Sequence, residues 1–254
     1  MAGFRAALPA ESRAGPTVDR LCRVGQVSHL AKGAQLPPDP HRDRLVYIVS
    51  GCAKLVAPSS APASSGTGAG AGAGAGAEMT IHQVLAFHFG GDLISVLRQR
   101  PSEPWGDFRL IGLSPCVLLI FPADRFLDIA QGDPAVLRSV LTRSLQALHR
   151  SRTLMMQMGH KSAQARIADF LVSMAERLAD CTSGACVFAL PMSRRDIGDS
   201  LGLTIETVSR QLTELRAAGL VETEGRSKVC LCDVAALARI AGRHASGARI
   251  PPEN

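Results

Sequence analysis

The chain has 254 residues, enough for one large domain or two modest ones, and a formal charge of +6 that is compatible with a polyanionic partner. A membrane span is excluded by run length: the most apolar stretch, residues 110–121, is short and broken by Ser114 and Pro115. Seven scattered cysteines, an odd number, point away from a disulfide framework and toward a reducing compartment.

The N-terminus lacks a long apolar core and a clean cleavage site, so it reads as a cytosolic tail. Residues 1–20 are small residues, Pro and mixed charges, and disorder is expected there. From residue 21 the pattern changes to short apolar runs between turn signals. Strands are expected at 24–30, 45–49, 53–56, 80–89, 93–97 and 108–121, with turns at Ser50-Gly51 and Gly90-Gly91-Asp92. Many short strands in one region predict a β-roll or barrel over 21–123. Residues 57–78, rich in Gly and Ala, interrupt it as a flexible insertion between two strands.

Beyond residue 123 the periodicity turns helical. A short helix at 125–131 precedes a long one that Asp133-Pro134 starts. Leu137, Leu141, Leu148, Met155 and Met158 recur at alternating steps of four and three, with Ser144 and Ser151 at the missing steps. That stripe predicts a dimerisation helix within 124–160. Another amphipathic helix is expected at 162–179. Cys181 and Cys186 flank a polar connection to a small strand at 187–190, and are candidate redox-sensitive thiols where a local charge lowers the pKa.

Residues 191–221 read as two short helices around a tight turn. Ser193 and Asp196 form a capping-box-like start, Gly202 stops the first helix, and Thr204 caps the second. Ile205, Val208, Leu212 and Leu215 face inward at helical spacing. Strands at 220–223 and 228–232 form a hairpin wing, and Asp233 caps a last helix to about residue 241, with a loose tail after Gly242. A winged helix-turn-helix domain is therefore expected over 161–245. The second helix exposes Glu206, Thr207, Ser209 and Arg210. Such a helix offers its first turns to base edges in the major groove of double-stranded DNA, where Arg pairs with guanine and Glu accepts from cytosine. Base reading is assigned to Glu206, Ser209 and Arg210; backbone or supporting roles go to Ser193, Thr204, Thr207, Arg226 and Lys228.

The order of roll, long helix and winged helix gives an α+β class: a cyclic-nucleotide-binding-like β-roll, a dimerisation helix and a C-terminal winged helix-turn-helix. This order, with residues 45–55 (LVYIVSGCAKL), 89–94 (FGGDLI), 192–203 and 204–210 (TIETVSR), resembles the CRP/FNR family of bacterial transcription regulators. Glu206, Ser209 and Arg210 match the Glu-x-x-Ser-Arg reader of its FNR and FixK branches, and Ile205 stands where the cAMP receptor protein has an arginine. The resemblance implies a homodimer on an inverted repeat of a TTGAT-like half-site, a cytoplasmic location, activation through RNA polymerase and no membrane. Cyclic-nucleotide binders of the family carry Gly-Glu in the turn and a later Arg-Ser/Thr-Ala; here stand Gly91-Asp92 and Trp105-Gly106-Asp107-Phe108. Oxygen sensors of the family need four cluster cysteines, and Cys22, Cys52 and Cys116 are too few. His82, His88 and Cys22 are conceivable haem ligands. The resemblance therefore implies the FixK-like reading, with no cofactor and no metal.

Three rivals remain open. One is an effector-gated regulator (redox, haem or small ligand) or a repressor of the same fold. Another is a ligand-sensing module without DNA output. An enzyme is disfavoured, since no nucleophile elbow, paired metal-ligand motif or phosphate-binding glycine loop is present and no catalytic residue is assigned.

Overall fold

The computed structural model describes residues 1–39, 41–58, 82–96, 108–225 and 227–243, and the chain divides into two compact units, 1–151 and 152–254. Outside the described residues lie positions 59–78 of the expected insertion, Trp105-Gly106-Asp107, Arg226 and the end of the C-terminal tail.

The first unit opens with helix α1 (Ala2–Ala6), a 3-10 turn (Ala10–Ser12) and helix α2 (Pro16–Val24), which has Pro in its first turn. The expected disorder over residues 1–20 is thus corrected. Phe4, Leu8, Val18 and Leu21 are buried in one apolar cluster with Tyr47, Leu119, Phe121 and Phe126. The Phe4 ring lies 5.2 Å from that of Phe121 and meets Tyr47 edge-on at 5.3 Å. The segment has few apolar side chains, but several are large and all four named here are buried, which outweighs its polar composition.

Among the described residues, seven strands follow: β1 (Gln26–Leu30), β2 (Arg44–Ser50), β3 (Cys52–Pro58), β4 (His82–Phe89), β5 (Leu93–Val96), β6 (Arg109–Gly112) and β7 (Cys116–Pro122). They pair antiparallel in two sheets, ordered β1-β7-β2-β5 and β4-β3-β6. The single run expected over 108–121 is two strands in different sheets, because Ser114 and Pro115 turn the chain between β6 and β7. Along β2 and β7 successive side chains point to opposite faces. Val46, Ile48 and Leu118 enter a core shared with Leu30, Ile94 and Leu110, whereas Tyr47, Leu119 and Phe121 face the helical cluster. Burial on both faces accounts for the unbroken apolar pattern of β7.

Helix α3 (Ala123–Ala130) covers that second face, and α4 (Pro134–His160) runs on from it. Val136 and Val140 are buried in the helical cluster. One turn on, the Arg143 guanidinium donates to the carbonyls of Gly91 (2.8 Å) and Ala7 (2.7 Å), tying α4 to the β4–β5 turn and to the end of α1.

The second unit contains α5 (Ala163–Ala179), β8 (Cys186–Ala189), α6 (Arg194–Leu201), α7 (Ile205–Ala217), β9 (Val221–Glu224), β10 (Lys228–Leu231) and α8 (Val234–Ile240). The strands pair in the order β8-β10-β9, which extends the expected wing into a three-stranded sheet. Asp169 of α5 is buried and accepts from Gln157 (2.6 Å) and from Arg243 Nε (2.6 Å), with Lys161 Nζ at 3.4 Å. A buried carboxylate requires such partners. Arg243 also pairs with Glu176, so the tail expected to be loose after Gly242 is anchored at its first residue.

Candidate nucleic-acid interface

The site is built from α6, the turn and α7. Ser193 Oγ accepts from the Asp196 amide at 3.2 Å, and the Asp196 carboxylate accepts from the Ser193 amide at 2.9 Å and from the Ser193 hydroxyl at 2.6 Å. This is the expected capping box, so the Ser193 hydroxyl is committed to starting the helix. Ser193→Ala is expected to lower the stability of the second unit by about 0.5–2 kcal/mol, read by urea or thermal unfolding. Gly202 closes α6 in the left-handed region (φ 64°), and the Leu203 amide bonds back to the Gly198 carbonyl at 2.9 Å. A Cβ on Gly198 would stand 2.6 Å from the Leu203 carbonyl oxygen, so only glycine lets the turn fold this tightly against α6.

Thr204 caps α7 by accepting from the Thr207 amide at 3.2 Å, and the two threonine hydroxyls are 3.1 Å apart. Val208, Gln211, Leu212 and Leu215 form the buried face. The opposite face presents the expected readers together. Glu206 and Arg210 are exposed and Ser209 is half-buried. The Arg210 side chain is 68 % exposed, and its Nε lies a loose 3.9 Å from Glu214. Such an exposed pair holds the guanidinium only weakly. The Glu206 carboxyl is held below its ordinary value by its own backbone amide, then by the Thr204 hydroxyl and the Arg195 charge. It therefore keeps its charge to somewhat lower pH than an ordinary glutamate. Arg194 and Arg195, exposed at the start of α6, were not singled out in the sequence; Arg194 Nη1 donates to Ser209 Oγ at 3.2 Å. The adjacency of two arginines just inside an N-cap was the available signal.

In the wing, Lys228 faces Glu224 across the β9–β10 register and pairs with its carboxylate. Its charge is thus partly compensated by Glu224. Arg226 lies outside the described residues.

Along α4, the expected stripe is exposed at Leu137, Leu141, Leu148 and Met155, and Leu145 and Met156 join it. Met158 is half-buried.

Cys181 is half-buried and Cys186 buried. Burial, reinforced by the neighbouring Cys181 thiol, pushes Cys186 up to about 11, the reverse of the lowered pKa expected of a reactive thiol. Cys52 and Cys116 are buried, and Cys116 donates to the Cys52 carbonyl at 3.1 Å. Asp92 accepts from the Phe89 amide at 3.0 Å and lies 3.4 Å from His88 Nδ1, closing the β4–β5 turn. Among the described residues, no three His, Cys, Asp or Glu side chains are grouped to hold a metal ion, and no helix is long and apolar enough to cross a membrane.

Residues 165–240 match the family model of the Crp-like helix-turn-helix domain. The transcriptional activator protein FnrL of Cereibacter sphaeroides is 32 % identical over 152 residues, 58 % of this chain and 61 % of that protein. The nitrogen fixation regulation protein FixK of Bradyrhizobium diazoefficiens is 38 % identical over 139 residues, 55 % of this chain and 57 % of that protein. In both, the matched stretch spans less than two thirds of the relative's own length. Among solved structures, FixK2 from Bradyrhizobium japonicum is 26 % identical with a TM-score of 0.67, covering 85 % of this chain and 97 % of that one.

Proposed function

We propose that the chain is a CRP/FNR-family regulator: a homodimeric, sequence-specific DNA-binding transcription activator of the FixK-like kind. The observation that carries the reading is the outer face of α7: Glu206, Ser209 and Arg210 stand side by side on a capped helix, with polar tips free of the core. Arg210 reads guanine, Glu206 accepts from cytosine and Ser209 contacts a neighbouring base. Thr204, Thr207, Arg226, Lys228 and helix N-terminal amides hold phosphates. The apolar stripe of α4 supplies the second copy that an inverted repeat requires. The protein works in the cytoplasm and activates through contact with RNA polymerase.

Control without a resident cofactor is part of the proposal. The space between the two sheets of the roll is packed with Leu30, Val46, Ile48, Ile94, Leu110 and Leu118, an apolar interior unsuited to an anionic nucleotide. The test is a gel shift of purified, metal-free protein on a TTGAT-N4-ATCAA duplex, with an absorption spectrum of the same sample. Specific binding without additive is expected. Binding that appears only after adding a nucleotide, haem or iron and sulfide overturns the cofactor-free reading.

Lys228→Ala is expected to weaken binding about equally across sequences and, with one lysine lost from each protomer, to flatten the slope of log K against log salt by about 1.8. Glu224→Gln, which frees the Lys228 charge, is expected to strengthen binding. Fluorescence anisotropy across a salt series reads both.

A further inference from the structure

Four of the seven cysteines fall in the second unit, and two of them, Cys181 and Cys186, bracket the connection from α5 to β8. The chain leaves α5 through Asp180 in the left-handed region (φ 49°) and turns again at Gly184 (φ 72°). These two turns fold residues 181–185 back on themselves. Cys181 Sγ lies 3.4 Å from the Ser183 carbonyl oxygen and 4.0 Å from that of Ala185, the residue immediately before Cys186. The Cys181 sulfur thus lies against the residue that precedes Cys186. Both ends of the connection are fixed: the Cys181 amide bonds the Ala175 carbonyl at 3.2 Å, and Cys186 pairs with Leu231 in the sheet. The Val234 amide holds the Gly184 carbonyl at 2.9 Å, so the loop is also tied to the start of α8.

We propose that Cys181 and Cys186 are a built dithiol that a hydroperoxide converts to a reversible intramolecular disulfide, closing the loop between α5 and the wing sheet. The site is independent of the DNA-reading face. Cys181, the more accessible sulfur, attacks the peroxide: its S–O bond forms, the O–O bond breaks, and hydroxide leaves to become water. The Cys186 thiolate then attacks the resulting sulfenic sulfur; the S–S bond forms, the S–O bond breaks, and a second water results. Two thiols are oxidised by two electrons in total and one hydrogen peroxide is reduced to two waters. Because burial makes the Cys186 thiolate scarce near neutral pH, closure accelerates as pH rises.

The sequence makes the test simple. Trypsin cuts after Arg177 and Arg194, and peptide 178–194 carries both cysteines and no other. Reduced protein is exposed to hydrogen peroxide, quenched with N-ethylmaleimide, digested and weighed. The expected product is peptide 178–194 unalkylated and lighter by two hydrogens, reverting on reduction. In Cys186→Ser the Cys181 sulfenic acid persists and is trapped by dimedone. In the folded protein the Cys181–Cys186 bond should form ahead of any disulfide to the other five cysteines, since the loop pre-positions the two residues. A folded protein in which both cysteines of peptide 178–194 stay alkylated overturns the proposal. So does a Cys181 over-oxidised beside an alkylated Cys186, or a crosslink from Cys181 to Cys230 instead.

Discussion

Leu141→Glu is expected to turn the dimer into a monomer and to weaken binding to the inverted repeat about 100- to 10,000-fold. Leu141 is 57 % exposed in the single chain and sits mid-stripe between Leu137 and Leu145, so the substitution leaves the fold of one chain unstrained. Across a helix seam it would place a carboxylate against apolar partners, where an unpaired charge is costly. The loss on DNA follows from linkage: two half-sites held by one dimer gain that factor over a lone half-site through effective concentration. Sedimentation equilibrium and anisotropy titrations on full and half-site duplexes check it. Affinity for the half-site should be nearly unchanged. A Leu141→Glu protein that stays dimeric would show that the stripe packs elsewhere.

The helix-turn-helix was legible because its signals are local. The Ser193–Asp196 box, Gly202, Thr204 and the spacing of Val208, Leu212 and Leu215 each act within one or two helical turns, and each forms as expected. The N-terminal segment was not legible for the opposite reason. Phe4, Leu8, Val18 and Leu21 are buried in one cluster with Tyr47, Leu119 and Phe121, which lie far along the chain. Sequence composition registers such a segment as polar, while tertiary contacts make it part of the core. The same limit applies to Arg143, whose acceptors belong to Gly91 and Ala7, and to Arg243, whose partner is Asp169. Lys228 shows it at the site: the cation was visible, but its pairing with Glu224 appears only once the hairpin register is known.

Arg210→Ala is expected to abolish preference at the base pair that the arginine is proposed to read, a loss of about 1–3 kcal/mol or roughly 5- to 150-fold in discrimination. The size follows from the geometry. Arg210 is held only by a 3.9 Å contact with Glu214 and stands 68 % exposed, so its guanidinium gives up little to reach a guanine. Arg210→Lys separates charge from shape: an ammonium keeps the phosphate attraction but lacks the planar fork that matches O6 and N7. Lysine should therefore retain the salt dependence and lose most of the discrimination, while alanine loses both. Competition titrations of each variant against the intact half-site and one with the guanine replaced measure the two quantities separately. If Arg210→Ala discriminated as well as the unaltered protein, base reading would have to move to other residues of α7. If Arg210→Lys behaved like the unaltered protein, Arg210 would act as a charge near the backbone and not as a reader.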